Sequence, residues 1–379
     1  MAKPYVIDAD GHVLETDVDW AARLEPQYRE RAPRILEVNG RNRCLIEGRL
    51  WPIPEGPGQG NSGPFSDDLP WERLYRAGMR DPQARLADMD VEGIDVAVLF
   101  GTMIGLSLAA VSDAGLAVAL ARAYNDWLAE YCRHAPARLK GVALLPLQDV
   151  PAAVAELERA AERLGHVSAM LPTNLHGQNL DHPAFYPLYD AAAQLGVPLS
   201  VHASVGFNGV PGRYGTQIAG TDRFDRFFYN HCVGFPFEQM IAVLCVVCGG
   251  VLDRFPTLRV AFFEAGAGWL PYWMQRMDEH YERLRPQVPL LERRPSEHVR
   301  GERFFLSCDA DEETLPDVLA RVGDDQILYA SDYTHWDSSF PDSVRLIAER
   351  TTLSDAQKAK VLGLNAARFL NLPVPAGAR

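Results

Sequence analysis

The amino-acid sequence predicts an α/β fold, a (β/α)8 TIM barrel with a small inserted cap after its first strand. Three observations lead to this prediction: eight short apolar runs, helical patterns between them, and one long interruption of that rhythm after the first run. The apolar runs lack polar alternation, which is typical of strands buried on both faces of a parallel sheet. Eight such units in 379 residues match the size of a barrel domain.

The predicted strands are bounded by turn residues. They cover residues 5–9, 95–101, 139–147, 167–172, 198–203, 259–266, 303–308 and 326–332. Helical patterns lie between them, and two of these end at Gly165 and Gly196, which can adopt a left-handed cap. An open doubly wound sheet is the alternative, but no glycine-rich phosphate loop follows the first strand.

The alternation of strand and helix patterns is interrupted between residues 16 and 80. Within this stretch, RILEVNGRNRCLIEGRLW predicts a hairpin that turns at Asn39-Gly40, and the Pro/Gly-rich PIPEGPGQGNSGPFSDDLP follows it. Connections of this length are uncommon in compact domains. We therefore expect a single domain, residues 1–379, in which residues 16–80 form a hairpin and loop cap over the barrel mouth.

Composition and charge limit the classes of molecule that the protein is expected to bind. A formal charge of −13 and a pI near 5.3 argue against nucleic acid, which is bound through clustered Lys and Arg. The first residues do not have the pattern of a signal peptide, and no long uninterrupted apolar run follows. We expect a cytoplasmic protein that binds a small molecule and no membrane. Apolar helices such as MIAVLCVVC could lie in the barrel wall or at the contact of a homodimer, and its Cys245 and Cys248 are interpreted as packing residues.

Polar side chains stand at or near the ends of four predicted strands. These residues are Asp10, His12, His202, Glu264, Asp332 and His335. Because the carboxyl ends of barrel strands meet at one mouth, we expect the side chains to converge. Asp10 and His12 are two residues apart, so both point to the same face of an extended strand. Asp10, His12, His202 and Asp332 are each typical of a turn or a hydrogen-bonded core position when taken alone; together these two carboxylates and two imidazoles predict a site for zinc, manganese or iron.

Several longer motifs resemble one family. DADGHVLE, RLADMDVEGIDVAVLF, VHAS, GGVLDRFPTLRVAFFEAGAGWLPYWMQRMD and ILYASDYTHWD are similar to the amidohydrolase superfamily, in particular the amidohydrolase 2 group. This group includes the aminocarboxymuconate semialdehyde and resorcylate decarboxylases. The resemblance covers nearly the whole chain. It implies a metal-dependent hydrolase or non-oxidative decarboxylase, with Asp10, His12, His202 and Asp332 as metal ligands.

The chain departs from the family at Glu264, where the decarboxylases carry a histidine. A carboxylate cannot act as an imidazolium acid at neutral pH unless its pKa is raised. Glu264 could be a general base in hydrolysis. It could instead bind a second ion with His231, which would give a non-heme diiron oxygenase on the same barrel. A non-catalytic binding barrel is the third alternative.

The substrate pocket is predicted less directly. His335, in SDYTHWD, is a candidate for orienting Asp332 or touching substrate. The decarboxylases use an arginine of the hairpin region, which implies a substrate role for Arg49. Trp51 and Phe207 would make the pocket apolar. We expect a small organic substrate that is carboxylate-bearing, aromatic or of terpenoid size.

Overall fold

The fold was obtained as a computed structural model. The structure describes residues 4–38, 41–51, 76–204, 216, 218–220, 224 and 226–377. The Asn39-Gly40 turn, residues 52–75 of the predicted cap and Phe207 lie outside the described residues.

Eight parallel strands build the predicted barrel. In chain order the strands of the described part of the chain are β1 (Ile7–Val13), β2 (Arg34–Val38), β3 (Arg41–Ile46), β4 (Arg49–Trp51), β5 (Val96–Gly101), β6 (Leu139–Leu144), β7 (Ser168–Pro172), β8 (Asn174–Leu175), β9 (Gln178–Asn179), β10 (Leu199–His202), β11 (Val260–Phe263), β12 (Phe304–Cys308) and β13 (Ile327–Tyr329). The barrel sheet has the order β1-β5-β6-β7-β10-β11-β12-β13, so neighbours in the chain are neighbours in space. Beyond β13, backbone hydrogen bonds from Asp332 N to Asp10 O (3.0 Å) and from His12 N to Tyr333 O (2.9 Å) join the last unit to the first.

Within the described residues, helices surround this sheet. They are α1 (Trp20–Arg23), α2 (Pro82–Glu92), α3 (Ile104–Ser107), α4 (Ala114–Cys132), α5 (Val150–Arg159), α6 (Tyr186–Leu195), α7 (Phe227–Cys248), α8 (Val251–Arg254), α9 (Leu270–Leu284), α10 (Pro295–Val299), α11 (Leu315–Val322), α12 (Ser343–Ala348), α13 (Asp355–Ala359) and α14 (Asn365–Leu370). After α5 the helical path continues in a wider turn to Gly165 (φ +76°), and α6 ends at Gly196 (φ +69°). Both glycines have the left-handed conformation that the sequence predicts.

The hairpin has one strand more than predicted. Strands β2, β3 and β4 form an antiparallel sheet, because the chain turns a second time at Glu47 (φ +50°) and Gly48 (φ +75°). Two successive positive φ angles are typical of a tight type I′ hairpin turn. The Glu47 carboxylate accepts hydrogen bonds from Ser112 N (2.8 Å) and Asp113 N (3.1 Å), and it thereby fastens the sheet to the start of α4.

Helix α7 is unusually apolar. Its mean hydropathy of 1.6 and its 22 residues satisfy the length and composition of a membrane span, but half of the 18-residue window is buried against the protein. It carries Cys245 and Cys248, and all six cysteines of the chain are free thiols. This supports the interpretation of the Cys-x-x-Cys pair as packing residues.

Candidate metal centre

Four of the strand-end side chains meet at one point of the barrel mouth. Asp10 Oδ1 lies 3.4 Å from His12 Nε2 and 3.4 Å from His202 Nε2. His12 Nε2 also lies 3.4 Å from Asp332 Oδ1. Residues from β1, β10 and the end of the eighth barrel strand therefore converge as the sequence predicts.

The chemistry of these atoms fits a bound cation. Both carboxylate oxygens of Asp10 and the Nε2 atoms of His12 and His202 are buried and have no hydrogen-bond partner. Asp332 Oδ1 is also buried, and His335 Nδ1 lies 2.6 Å from it. Buried polar atoms without a partner are costly, at about 1–3 kcal/mol each. Nitrogen and oxygen ligands at about 2.1 Å from a tetrahedral ion would be about 3.4 Å apart, which is the separation of these pairs.

Two site residues reach the mouth through an uncommon backbone conformation. Glu264 (φ +62°) and Asp332 (φ +48°) are left-handed although neither is glycine. Such residues cost about 1–3 kcal/mol and persist only where the surroundings hold them. Glu264 N donates to Ser307 Oγ (3.2 Å) and Asp332 N to Asp10 O (3.0 Å). The predicted sixth and eighth strands end earlier than expected, at Phe263, directly before Glu264, and at Tyr329, three residues before Asp332.

Asp8, which is not among the predicted metal ligands, supports the segment that carries Asp332. Its carboxylate accepts hydrogen bonds from Ser331 N (2.9 Å) and Ser331 Oγ (2.7 Å). Arg85 Nη2 lies 3.7 Å from the same carboxylate, and Arg85 Nη1 donates to His12 O (2.7 Å). Asp8 and Arg85 thus connect the segment of Asp10 and His12 with the segment of Asp332.

Thr102 is a site residue that the sequence reasoning missed. It follows β5, and its Oγ1 lies 3.3 Å from His12 Nδ1 and 3.4 Å from His335 Nε2. Glu15 fixes this segment, because its carboxylate accepts hydrogen bonds from Met103 N (2.8 Å) and Gly105 N (3.3 Å). The available signal was a threonine at the carboxyl end of the second barrel strand, where active-site residues of barrels lie.

Glu264 and His335 form a second layer of charge beside the candidate ligands. Glu264 Oε1 lies 3.4 Å from His335 Nδ1, and Glu264 Oε2 lies 3.3 Å from His202 Nδ1. His335 Nδ1 is also 2.6 Å from Asp332 Oδ1. Burial raises the pKa of Glu264 against the opposing effect of His202 and His335. Burial disfavours the imidazolium of His335, but Asp332 and Glu264 outweigh it and hold the pKa of His335 well above its usual range.

His231 lies farther from this layer, at the wall of a cavity of about 300 Å³. Its Nε2 is 3.8 Å from Asp337 Oδ2, and its ring packs against Phe235 at a centroid distance of 4.2 Å. Burial, with a smaller effect of His335, lowers the pKa of His231 to about 4. Among the described residues, the groups close enough to share an ion are Asp10, His12 and His202, and His12, Glu264, Asp332 and His335. His231 belongs to neither group.

The same cavity has an acidic wall. Glu264, Asp309, Asp332 and Asp337 line it together with His231. Burial and neighbouring carboxylates, Glu312 first among them, raise the pKa of Asp309 to about 7. Burial and Asp332 raise the pKa of Asp337 to about 8.

Arg49 and Trp51, the hairpin residues predicted to bind substrate, contact other residues of the protein. Arg49 pairs with Glu47 (3.1 Å) and donates to Ala110 O (2.5 Å). Trp51 pairs with Cys44 across the sheet and is 2% exposed.

The whole chain is similar to one group of proteins. The amidohydrolase family model matches residues 7–372. A 2-amino-3-carboxymuconate-6-semialdehyde decarboxylase of Dictyostelium discoideum is 28% identical over 298 residues, which cover 77% of each chain.

Solved structures support the same relationship. A 2,6-dihydroxybenzoate decarboxylase complexed with 2,6-dihydroxybenzoate has a TM-score of 0.67 and 26% identity, covering 81% of this chain and 93% of that one. A dihydroxybenzoic acid decarboxylase of Polaromonas sp. JS666, with bound manganese and 2-nitroresorcinol, shares the fold with a TM-score of 0.68 and 23% identity, covering 97% of each chain. Given a family match over nearly its full length and the convergence of buried ligand atoms at the barrel mouth, this chain belongs to the amidohydrolase family.

Proposed function

We propose that the protein is a metal-dependent decarboxylase that removes the carboxyl group of a small aromatic acid without an oxidant. The observation that carries this proposal is the convergence of buried nitrogen and oxygen atoms of Asp10, His12, His202 and Asp332, with pairs 3.4 Å apart. The relatives named above, decarboxylases of carboxylated substrates, support the choice of reaction.

We propose one ion for each chain, held by Asp10, His12, His202 and Asp332. The two ligand groups share His12, so they describe one centre rather than two separate ones. His231, which the diiron alternative requires, faces Asp337 instead. Manganese is the preferred ion, since a protein of this fold contains it; zinc and iron suit the same donors. When bound, the ion would act as a Lewis acid toward a substrate oxygen.

We propose that Glu264 and His335 handle the proton. Loss of carbon dioxide breaks the bond between the ring and the carboxyl carbon and leaves an electron pair on the ring carbon, which must gain a proton. His335 lies between two carboxylates, Asp332 (2.6 Å) and Glu264 (3.4 Å), which favour its protonated form. This pair would replace the sixth-strand histidine of the decarboxylases.

The cavity of about 300 Å³ beside Glu264 and Asp332 offers a place for the aromatic ring, and its apolar lining includes Phe235, Pro236 and Ala310. Apolar walls with a few polar groups at one end are typical of small-molecule sites. The apolar recess next to His202 has a volume of only about 20 Å³, which is the space of about one water molecule. We propose that the ring lies in the larger cavity, with its carboxyl group toward the metal ligands.

Three further proposals concern the domain organisation, the cellular location and the oligomeric state of the protein. We propose that residues 1–379 act as one domain with residues 16–80 as a cap, that the protein is cytoplasmic, and that it forms a homodimer. Six free thiols support a reducing compartment, and the anchoring of the hairpin by Glu47 supports a fixed cap.

The reaction can be tested with manganese-loaded protein and a panel of hydroxylated benzoates and amino-substituted analogues. We expect release of carbon dioxide and the decarboxylated ring in equal amounts, at the same rate with and without dioxygen. His335→Asn should lower kcat by roughly 100-fold or more while metal content stays unchanged. Turnover that requires dioxygen, or that yields a hydrolysis product without carbon dioxide, would refute the proposal.

A further inference from the structure

The cavity of about 300 Å³ beside the candidate metal centre has a strongly negative wall. Its lining includes the carboxylates of Glu264, Asp309, Asp311, Asp332 and Asp337, which we call the acidic wall. Glu264 and Asp332 are mostly buried, whereas Asp309, Asp311 and Asp337 are exposed. Among the described residues that line the cavity, none is Lys or Arg.

The positive groups of the centre balance only part of this charge. Asp10 and Asp332 would balance a divalent ion, and the imidazolium of His335 balances Glu264, whose Oε1 lies 3.4 Å from His335 Nδ1. The wall residue His231 adds no charge at pH 7, because burial, with a smaller effect of His335, lowers its pKa to about 4.

Asp309 is the clearest case of a carboxylate without a cation. The charged groups that act most on it are other carboxylates, Glu312 and Asp337 first. Like charges held together are unfavourable unless a cation lies between them or one of the groups takes up a proton. The outer part of the acidic wall therefore suits a ligand that brings a positive charge.

Glu264 gives independent evidence for a ligand in this cavity. Its Oε2 is buried and has no hydrogen-bond partner. His202 Nδ1 lies 3.3 Å away, but this nitrogen is 2.6 Å from Ala203 O and donates its one proton there when Nε2 binds an ion. A buried acceptor without a donor is costly, so a molecule that fills the cavity should carry a donor.

Aromatic rings stand next to the acidic wall. Phe235 lines the cavity, and the ring of His231 packs against it at a centroid distance of 4.2 Å. Trp336 and Phe227 also contact His231, at 5.2 Å and 5.1 Å. The face of an aromatic ring attracts an organic cation, and sites that combine such rings with carboxylates are typical of ammonium recognition.

We propose that the substrate carries, besides the carboxyl group that is lost, a positively charged alkylammonium group that binds to the acidic wall. This substrate class rests on the proposed function, because it concerns the same cavity. A primary ammonium group brings three hydrogen-bond donors and no acceptor, which matches a wall of carboxylates. An amino group bonded directly to the ring is neutral at pH 7, so at least one carbon must separate the nitrogen from the ring.

Two other ligands fit the acidic wall less well. Asp309, Asp311 and Asp337 belong to neither of the described groups that are close enough to share a metal ion, so a second ion in place of an extended organic cation is disfavoured. A second carboxyl group on the substrate would face Asp309 and Asp337, and like charges brought together in a binding site cost several kcal/mol.

Binding of small probes tests the charge preference without turnover. Titration calorimetry on the metal-loaded protein compares benzylammonium with benzyl alcohol, which has nearly the same size and no charge. Benzylammonium should bind about 10-fold more tightly, and the difference should shrink at high salt. Asp309→Asn should weaken the binding of benzylammonium by about 5-fold. The matched control is Asp317→Asn, an exposed aspartate on α11 that is not part of the cavity lining, and it should bind this probe as the wild type does.

Turnover tests the same preference on substrates. Three 2-hydroxybenzoates that differ only in an aminomethyl, hydroxymethyl or carboxyl group at the 4-position form a matched series. The value of kcat/KM should be highest for the aminomethyl compound and about 100-fold lower for the carboxyl compound. Asp309→Asn should narrow this gap by about 5-fold or more, chiefly through KM, and Asp317→Asn should leave it unchanged.

The outcomes separate this substrate class from the reaction itself. Benzylammonium that binds no more tightly than benzyl alcohol would overturn the substrate class, as would equal binding of it by the Asp309→Asn and Asp317→Asn variants. Release of carbon dioxide without preference for the aminomethyl compound would overturn the substrate class and leave the decarboxylase intact. Tight binding of benzylammonium without carbon dioxide from any of the three acids would support the cation site and refute the decarboxylase. Metal content measured on the same samples shows whether the centre is intact.

Discussion

At the scale of single residues, the geometry of the candidate metal centre depends on the candidate metal-binding side chains and also on the side chains that contact them. The sequence identifies Asp10, His12, His202 and Asp332, because acidic residues and histidines at strand ends are conspicuous. It does not identify Thr102, since a lone threonine after a strand has many ordinary roles. The contacts of Thr102 with His12 and His335 form only because β1, β5 and the segment after β13 come together in the folded barrel.

Substitution of Thr102 tests this link. If His12 binds an ion through Nε2, its Nδ1 carries the proton and donates to Thr102 Oγ1. Thr102→Val keeps the side-chain shape but removes the acceptor, so metal affinity or kcat should fall by roughly 10- to 100-fold. Thr102→Ser should restore most of the loss. Equal activity and metal affinity in the valine variant and the wild type would show that the hydroxyl does not orient His12.

His166 gives a prediction at the same scale that does not involve the centre. It is 5% exposed, and its Nε2 lies 3.0 Å from Asn125 O. Burial lowers the pKa of His166 to about 4, while an unfolded histidine titrates near 6.5. Between these values the unfolded chain binds more protons, so this group lowers the free energy of unfolding as pH falls, by up to about 3 kcal/mol.

The measurement is urea denaturation between pH 7 and pH 4. His166→Gln should lose less stability over this range than the wild type, whereas the exposed His134→Gln should follow the wild type. Parallel pH profiles for the His166 variant and the wild type would contradict the assignment.

At the scale of elements, the strands follow from the sequence and their ends do not. Predominantly apolar runs without polar alternation predict all eight barrel strands, and the glycine caps after α5 and α6 are also as predicted. The strand that ends at Phe263 is followed directly by left-handed Glu264, and Asp332 is left-handed three residues after the strand that ends at Tyr329. Tertiary hydrogen bonds hold both conformations, and no local pattern signals them. The extra strand β4 was missed because Glu47-Gly48 is a weaker turn signal than Asn39-Gly40.

Gln239 of α7 connects two strands of the barrel. Its side-chain amide joins the ends of β10 and β11 through Val201 O and Phe263 O. Gln239→Leu leaves two buried carbonyls without this donor and should lower the free energy of unfolding by about 1–3 kcal/mol. It should also weaken metal retention, because His202 follows one of these carbonyls directly. The exposed Gln275→Leu serves as the control. A Gln239 variant with wild-type stability and metal content would show that these two hydrogen bonds do not stabilise the strand ends.

At the scale of the whole molecule, barrel closure creates the centre. Asp10 lies near the start of the chain and Asp332 near its end, and the two meet because the segment after β13 pairs with β1. The sequence predicts this convergence once the barrel is inferred. It cannot predict that Glu264 and His335 lie side by side, since their contact depends on two left-handed turns and on the path of the last loop.

The most direct test of the metal centre is the metal content of protein purified without chelator, measured by mass spectrometry. The wild type should contain one divalent ion per chain. His202→Ala and Asp332→Ala should each lose it, while the exposed control His134→Ala should keep it. A wild type without metal, or full occupancy in either ligand variant, would contradict the centre formed by Asp10, His12, His202 and Asp332.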